Sequence, residues 1–153
     1  FKRRNIPFIR RKIGMIFQDY KLLEDRNVYD NISLPLQISG LKGSDIRDRT
    51  YDMIEKVGLD NKSKIMPKYL SGGERQRISI ARALVIKPCL ILADEPTGNL
   101  DPIVSNEILD LLENLTKSMG SAVLMSTHDF HLIQPRQKRF IEMSEGRQVI
   151  NDI

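Results

Sequence analysis

Three short apolar runs stand out in the hydrophobic pattern of the chain. They cover residues 13–17, interrupted only by Gly14, then 89–93 and 122–125. Runs of this length without polar alternation are typical of parallel strands that are buried on both faces. Ligands of open α/β sheets bind beyond the carboxyl ends of the strands, so the polar residues after these runs are candidates for a site.

Residues 19–87 have a helical period and predict no strand. Asn27 is predicted to cap one helix, which Pro35 should kink or end. Ser44 is predicted to cap a second helix, and Gly58 to end it.

Another helix is predicted to begin at Ser71, because Glu74 follows three positions later and the two can form a capping box. Gly72 and Gly73 come next, so a phosphate can approach the outward-pointing amides of the first turn, where the helix dipole favours negative charge. This helix should stop at Lys87-Pro88. Its apolar stripe consists of Ile78, Ala81, Leu84 and Val85.

The last part of the chain predicts one long helix and a hairpin. Pro102 suits the first position of a helix whose apolar residues recur every three or four positions until Gly120. Residues 140–150 predict a terminal hairpin around a Glu145-Gly146 turn.

Composition places the chain among ordinary globular domains. Its 153 residues are 41% hydrophobic, and no apolar run approaches the roughly 20 residues that span a bilayer. No signal peptide is visible, so we expect a cytosolic protein. Six of the first twelve residues are basic, and we interpret them as solvated charge. Because basic and aromatic residues are not interleaved elsewhere in the chain, we expect no nucleic-acid partner. Cys89, the single cysteine, is expected to be a small buried hydrophobe.

Candidate chemistry follows each apolar run. Asp94 and Glu95 follow the second run; the aspartate can hold Mg²⁺ and the glutamate can act as a general base toward water, although a solvated turn is the alternative. Gln18 follows the first run and can offer its carbonyl oxygen to Mg²⁺. His128 follows the third and could donate to a γ-phosphate oxygen. Taken alone, Gln18 and His128 could each be an ordinary polar loop residue.

Five motifs in this order resemble those of the ATP-binding-cassette ATPases. They are Gln18 as the Q-loop, Leu70–Glu74 as the signature motif, Asp94-Glu95 as Walker B, residues 98–101 as the D-loop and His128 as the switch histidine. The resemblance implies an α/β fold with the parallel RecA-like sheet of P-loop NTPases, here incomplete, and an inserted α-helical subdomain. The implied core is 1–18 with 88–153, and the implied helical subdomain, which carries the signature motif, is 19–87.

The resemblance also implies ATP and Mg²⁺ as cofactors and ATP hydrolysis as the reaction. The implied catalytic residues are Glu95, His128 and Gln18, and the implied Mg²⁺ ligands are Gln18 and Asp94. The implied nucleotide-binding residues are Ser71, Gly72, Gly73, Asp94 and Asp101. In the family, the signature residues close over ATP held by the opposite subunit of a head-to-tail homodimer.

Residues 6–36 resemble more narrowly the FtsE family of bacterial cell-division ATPases, although Asn27 stands where that family more often has threonine. The resemblance implies an integral membrane partner, an FtsX-like permease, and a peripheral location on the cytoplasmic face of the inner membrane. Residues 96–101 are shared with lipoprotein-releasing and macrolide-export ATPases, which are therefore the alternative.

No Gly-Lys pair occurs in the sequence, so the Walker A loop that holds the phosphates in this family is absent from it. We therefore expect a fragment that hydrolyses ATP negligibly by itself and has exposed apolar sheet edges. A non-catalytic, truncated cassette is the alternative from a different functional class.

Overall fold

The computed structural model describes residues 6–149, which form six α-helices and five strands. They are α1 (Ile6–Arg10), β1 (Ile13–Ile16), α2 (Val28–Ile38), α3 (Gly43–Lys56), α4 (Gly72–Leu84), β2 (Leu90–Asp94), α5 (Pro102–Met119), β3 (Ala122–Ser126), α6 (Phe130–Ile133), β4 (Glu142–Ser144) and β5 (Arg147–Val149). Single 3₁₀ turns lie at Asp60–Lys62, Pro67–Tyr69 and Gln134–Arg136.

The first three strands form a parallel sheet in the order β1-β2-β3. Ile16 lies opposite Ala93, and Asp94 lies opposite Ser126, so the carboxyl ends of the strands meet at one edge. Helices connect the strands, as parallel pairing requires. The α/β class with a parallel sheet is therefore confirmed.

The segment between β1 and β2 contains helices and no strand, as predicted. Asn27 caps α2 by accepting a hydrogen bond from the Asp30 amide at 2.8 Å. Pro35 does not end α2, which continues through it to Ile38. Tertiary packing outweighs the missing hydrogen bond there, since α2 buries one apolar face completely. That face consists of Val28, Ile32 and Leu36.

Helix α3 begins earlier than predicted. Its first residue is Gly43, preceded by Lys42, which makes no side-chain cap, so the prediction of Ser44 as the cap is wrong. Gly58 ends the helical segment as predicted, with a φ of +70° that glycine adopts without strain.

Helix α4 lies between α2 and the sheet. The predicted capping box is present, with Ser71 Oγ accepting from the Glu74 amide at 3.3 Å and Glu74 Oε2 accepting from the Ser71 amide at 2.9 Å. The helix packs against α2 on one side and against β1 and α5 on others. At the β1 contact, a Cβ on Gly14 would lie only 2.7 Å from the Ala83 carbonyl oxygen, so helix and strand backbones meet directly.

Burial of the strands differs from the prediction. Strand β3 is largely exposed, with Leu124 63% accessible, because β3 is an edge strand and β2 is its main packing neighbour within residues 6–149. In β2, Ile91 and Ala93 are buried, whereas the opposite face is only half-buried. Cys89 precedes β2 and is exposed, so its predicted burial is wrong.

The end of the described chain follows the predicted order. Helix α5 begins at Pro102 and its C-cap is Gly120, which has a φ of +68°. Strands β4 and β5 form the antiparallel hairpin around Glu145 and Gly146; position 150 of the predicted hairpin lies outside the described residues. Among residues 6–149, no helix combines the length and the apolar character needed to cross a bilayer.

Candidate functional site

A strained turn follows β2 at the carboxyl edge of the sheet. Glu95 has a φ of +42°, in the left-handed region that non-glycine residues rarely adopt, and it precedes Pro96. Its amide donates to the Ser126 carbonyl at 3.1 Å, which joins the turn to the end of β3. Strain of this kind concentrates at functional sites, so the turn is the first candidate.

The turn brings Glu95 to His128. His128 Nδ1 lies 3.0 Å from Glu95 Oε1, within hydrogen-bonding distance. The His128 side chain is 74% exposed and that of Glu95 is 30% exposed, so water can reach both groups. A polar contact this accessible adds little stability, and its importance is the position in which it holds the carboxylate.

Gln18 reaches the same turn from the end of β1. A Cβ built on Gly98 would lie 2.8 Å from Gln18 Nε2 and 3.2 Å from Glu95 Oε2, so the amide and the carboxylate together fill the space beside this glycine. Asn99 Nδ2 also donates to the backbone carbonyl of Gln18 at 2.9 Å. The structure therefore brings together the three residues predicted to be catalytic.

Asp94 lies at the end of β2 and is exposed. Its Oδ1 accepts from Ser126 Oγ at 2.7 Å, a contact that the sequence analysis missed. In the range 6–149 there is no group of three or more His, Cys, Asp or Glu side chains arranged to hold a metal ion. The oxygen atoms of Asp94 and Gln18 nevertheless suit Mg²⁺, which takes few protein ligands and keeps water and phosphate oxygens.

The signature residues lie in a second place. A cleft of about 360 Å³ is lined on one side by the tip of α4, including Ser71, Gly72 and Gly73, and on the other by residues 99–101. Asp101 caps α5, and its Oδ1 accepts from the amides of Ile103 and Val104 at 3.0 Å each. The predicted site residues thus form two groups, one at the sheet edge and one at the tip of α4.

Leu100 lies between the two groups. It lines the signature cleft and also a smaller cleft of about 110 Å³ that contains Glu95 and His128. The Leu100 amide donates to the Thr97 carbonyl at 3.1 Å. The D-loop is therefore a folded turn that borders both clefts. Any movement of this turn would affect both groups of residues.

Charge in the signature cleft is balanced locally. Glu74 forms an ion pair with Lys62, and this hydrogen bond, together with that from the Ser71 amide, holds the pKa of the Glu74 carboxyl below its usual value of 4.5. On the opposite side, Arg77 pairs with Glu107 at 3.1 Å. Two acids that would otherwise repel a phosphate each have a cationic partner.

Two residues of α4 near the site were missed by sequence reasoning. Arg82 donates to the carbonyls of Lys21 at 2.6 Å and Tyr20 at 2.8 Å, and so fixes the loop that follows Gln18. Gln76 is fully buried and donates to the Pro96 carbonyl at 2.6 Å. A polar residue within a helical pattern is usually solvated, so no sequence signal distinguished either one.

A family model and curated relatives both match this chain. A protein-family model described as "ABC transporter" matches residues 1–98. The cell division ATP-binding protein FtsE of Escherichia coli K12 is 54% identical over 145 residues, which are 95% of this chain and 65% of that protein. FtsE of Mycobacterium tuberculosis is 46% identical over 95% of this chain and 63% of its own length. The chain therefore spans slightly less than two thirds of the length of these relatives.

Two solved structures match most of this chain and about three fifths of their own length. The cbiO1 protein of Clostridium perfringens, part of the ABC transporter complex cbiONQ, matches 97% of this chain and 60% of its own, with a TM-score of 0.89 and 30% identity. The ATP-binding cassette MJ0796, in a dimeric post-hydrolysis state with ADP and Pi, matches 86% of this chain and 59% of its own, with a TM-score of 0.73 and 34% identity.

Proposed function

This chain belongs to the ABC transporter family, and from that premise we propose that it carries the catalytic turn and signature helix of an ATPase that acts in bacterial cell division. The observation that carries the proposal is the meeting of Gln18, Glu95 and His128 at the carboxyl edge of the sheet. The identity to FtsE proteins supports the cell-division role.

In the proposed reaction, Glu95 accepts a proton from the water that attacks the terminal phosphate of ATP. With a proton on each ring nitrogen, His128 would donate to Glu95 from Nδ1, which lies 3.0 Å from its Oε1, and to a phosphate oxygen from Nε2. Gln18 would orient the water, and with Asp94 it would hold Mg²⁺, which supplies positive charge to the phosphates when bound. ADP and phosphate are the products.

This sequence has no Gly-Lys pair to grip the phosphates, so we propose negligible hydrolysis by these 153 residues alone. Activity is proposed for the complete protein as a head-to-tail homodimer. The tip of α4 supports this, because Ser71 is exposed and the amides of the half-buried Gly72 and Gly73 belong to a first turn, which lacks intrahelical partners. They would bind the nucleotide of the sister subunit.

The proposed membrane partner is an FtsX-like permease, contacted through the helical subdomain proposed for residues 19–87, on the cytoplasmic face of the inner membrane. The proposed core is 1–18 with 88–153. Co-purification of the complete protein from membranes tests the partner. Recovery with a lipoprotein-releasing or macrolide-export permease in place of an FtsX-like one would replace the cell-division assignment.

The catalytic proposal is tested by Glu95→Gln in the complete protein. Removing the base should lower kcat by at least about a hundredfold and leave an ATP-bound dimer that light scattering detects after gel filtration. Glu55→Gln, on the exposed face of α3, is the matched control and should behave like the unchanged protein. Unaltered hydrolysis by Glu95→Gln would disprove the assignment of the base.

A further inference from the structure

Gln76 is a buried polar side chain to which the proposed reaction gives no role. It is 0% exposed, and its Nε2 donates to the Pro96 carbonyl at 2.6 Å. Its Oε1 has no hydrogen-bond partner among the described residues. Burying a side-chain amide is costly when its oxygen makes no hydrogen bond. The single bond that the nitrogen of Gln76 makes therefore needs an explanation.

The bond ends on the strained turn. Glu95 has left-handed backbone geometry immediately before a proline, a position that favours extended conformations. Such a conformation persists only where surrounding contacts over-determine it. Something other than the preferences of Glu95 itself therefore holds the carboxylate beside His128.

Hydrogen bonds from several elements hold the turn. The Glu95 amide donates to the Ser126 carbonyl at 3.1 Å, and the Gly98 amide donates to the Glu95 carbonyl at 3.0 Å. The bond from Gln76 to the Pro96 carbonyl comes from α4. Gln76 lies one helical turn after Gly72, so this bond connects the tip of the signature helix to the turn that bears Glu95.

We infer that Gln76 is a positioning residue: it holds the 95–98 turn so that the Glu95 carboxylate stays against His128 and Gln18, and it transmits movement of the signature tip to that carboxylate. A nucleotide bound by the tip in a sister subunit would in this way influence the base of its own subunit. The catalytic part of the inference rests on the proposed function, whereas the structural part does not.

The test compares Gln76→Met with Ser79→Ala in the complete protein. Methionine has a similar shape but donates no hydrogen bond, and Ser79 is a second fully buried polar residue of α4, whose hydroxyl has no partner among the described residues. Hydrogen exchange of the peptide covering 94–100 should be at least about tenfold faster in Gln76→Met and unchanged in Ser79→Ala. Equal exchange in both variants would overturn the inference.

Kinetics test the catalytic part. A base displaced by about 1 Å can lose a hundredfold in rate, so Gln76→Met should lower kcat about tenfold to a hundredfold while KM for ATP changes less than about twofold. Faster exchange with unchanged kcat would refute the catalytic role. If the unchanged protein hydrolyses no ATP, the proposed function fails, and the exchange experiment still decides the structural part.

Gln76→Glu gives a second readout if the methionine variant folds poorly. A carboxyl group at this position can donate to Pro96 only when it is protonated, and burial favours the protonated form. Its kcat relative to the unchanged protein should therefore rise as the pH falls from about 8 to about 6. A ratio that stayed low at every pH would contradict the hydrogen bond as the cause.

Discussion

Replacing Arg82 by methionine tests how the loop after Gln18 is held. Arg82 lies on α4, and its guanidinium donates to the carbonyls of Tyr20 and Lys21. Both loop residues have left-handed backbone, with φ values of +62° and +48°, so the loop needs external support. Burial lowers the pKa of Arg82 by desolvating the charge, a cost that the two carbonyls offset.

The magnitude follows from the two bonds that are lost. Each hydrogen bond to a charged group contributes about 1.5–3 kcal/mol, while removing the buried charge recovers part of its desolvation cost, so we expect a net loss of about 2–4 kcal/mol. In a chain of this length, 1 kcal/mol corresponds to about 2–4 °C in melting temperature. The expected decrease is therefore about 4–16 °C.

Thermal unfolding followed by circular dichroism measures this decrease, with urea unfolding as a second measurement. Arg47→Met is the matched control, since the Arg47 side chain is 67% exposed and its Nε pairs with the neighbouring, exposed Asp48 at 3.3 Å; it should change stability by less than about 0.5 kcal/mol. Equal melting temperatures for Arg82→Met and Arg47→Met would refute the supporting role of Arg82.

Two further predictions concern the contacts of α4. Gly14→Ala should destabilise the protein by about 1–3 kcal/mol, because the new methyl group would meet the Ala83 carbonyl oxygen at 2.7 Å. Urea unfolding should show no such loss for Gly43→Ala, where an added Cβ meets no other part of the described chain within 4 Å beyond its sequence neighbours and its own helix. Lys62→Met should lower stability near neutral pH by about 0.5–1 kcal/mol by removing the partner that depresses the pKa of Glu74. Since a depressed carboxyl pKa stabilises above the unfolded value of 4.5 and this gain is lost as the pH falls through the folded value, the difference between the two proteins in melts should shrink as the pH falls below about 4.5. A difference that did not shrink in acid would contradict the ion pair as its source.

The sequence by itself determined the features that depend on neighbouring residues. The capping box of Ser71 and Glu74, the Asn27 cap and the Gly120 terminus each involve groups within a few positions, whose geometry is set by local backbone rules. The ordered motifs also indicated the family, because their spacing is a property of the chain itself.

Only the tertiary structure decided what separate segments do together. Gln18, Glu95 and His128 are far apart in the chain, and their meeting depends on the strand order and register of the sheet. Burial likewise depends on which elements pack against a strand, so apolar composition alone misjudged β3 and Cys89. Long-range hydrogen bonds such as that of Gln76 leave no periodic trace in sequence, since a buried donor and a solvated one can be the same residue type.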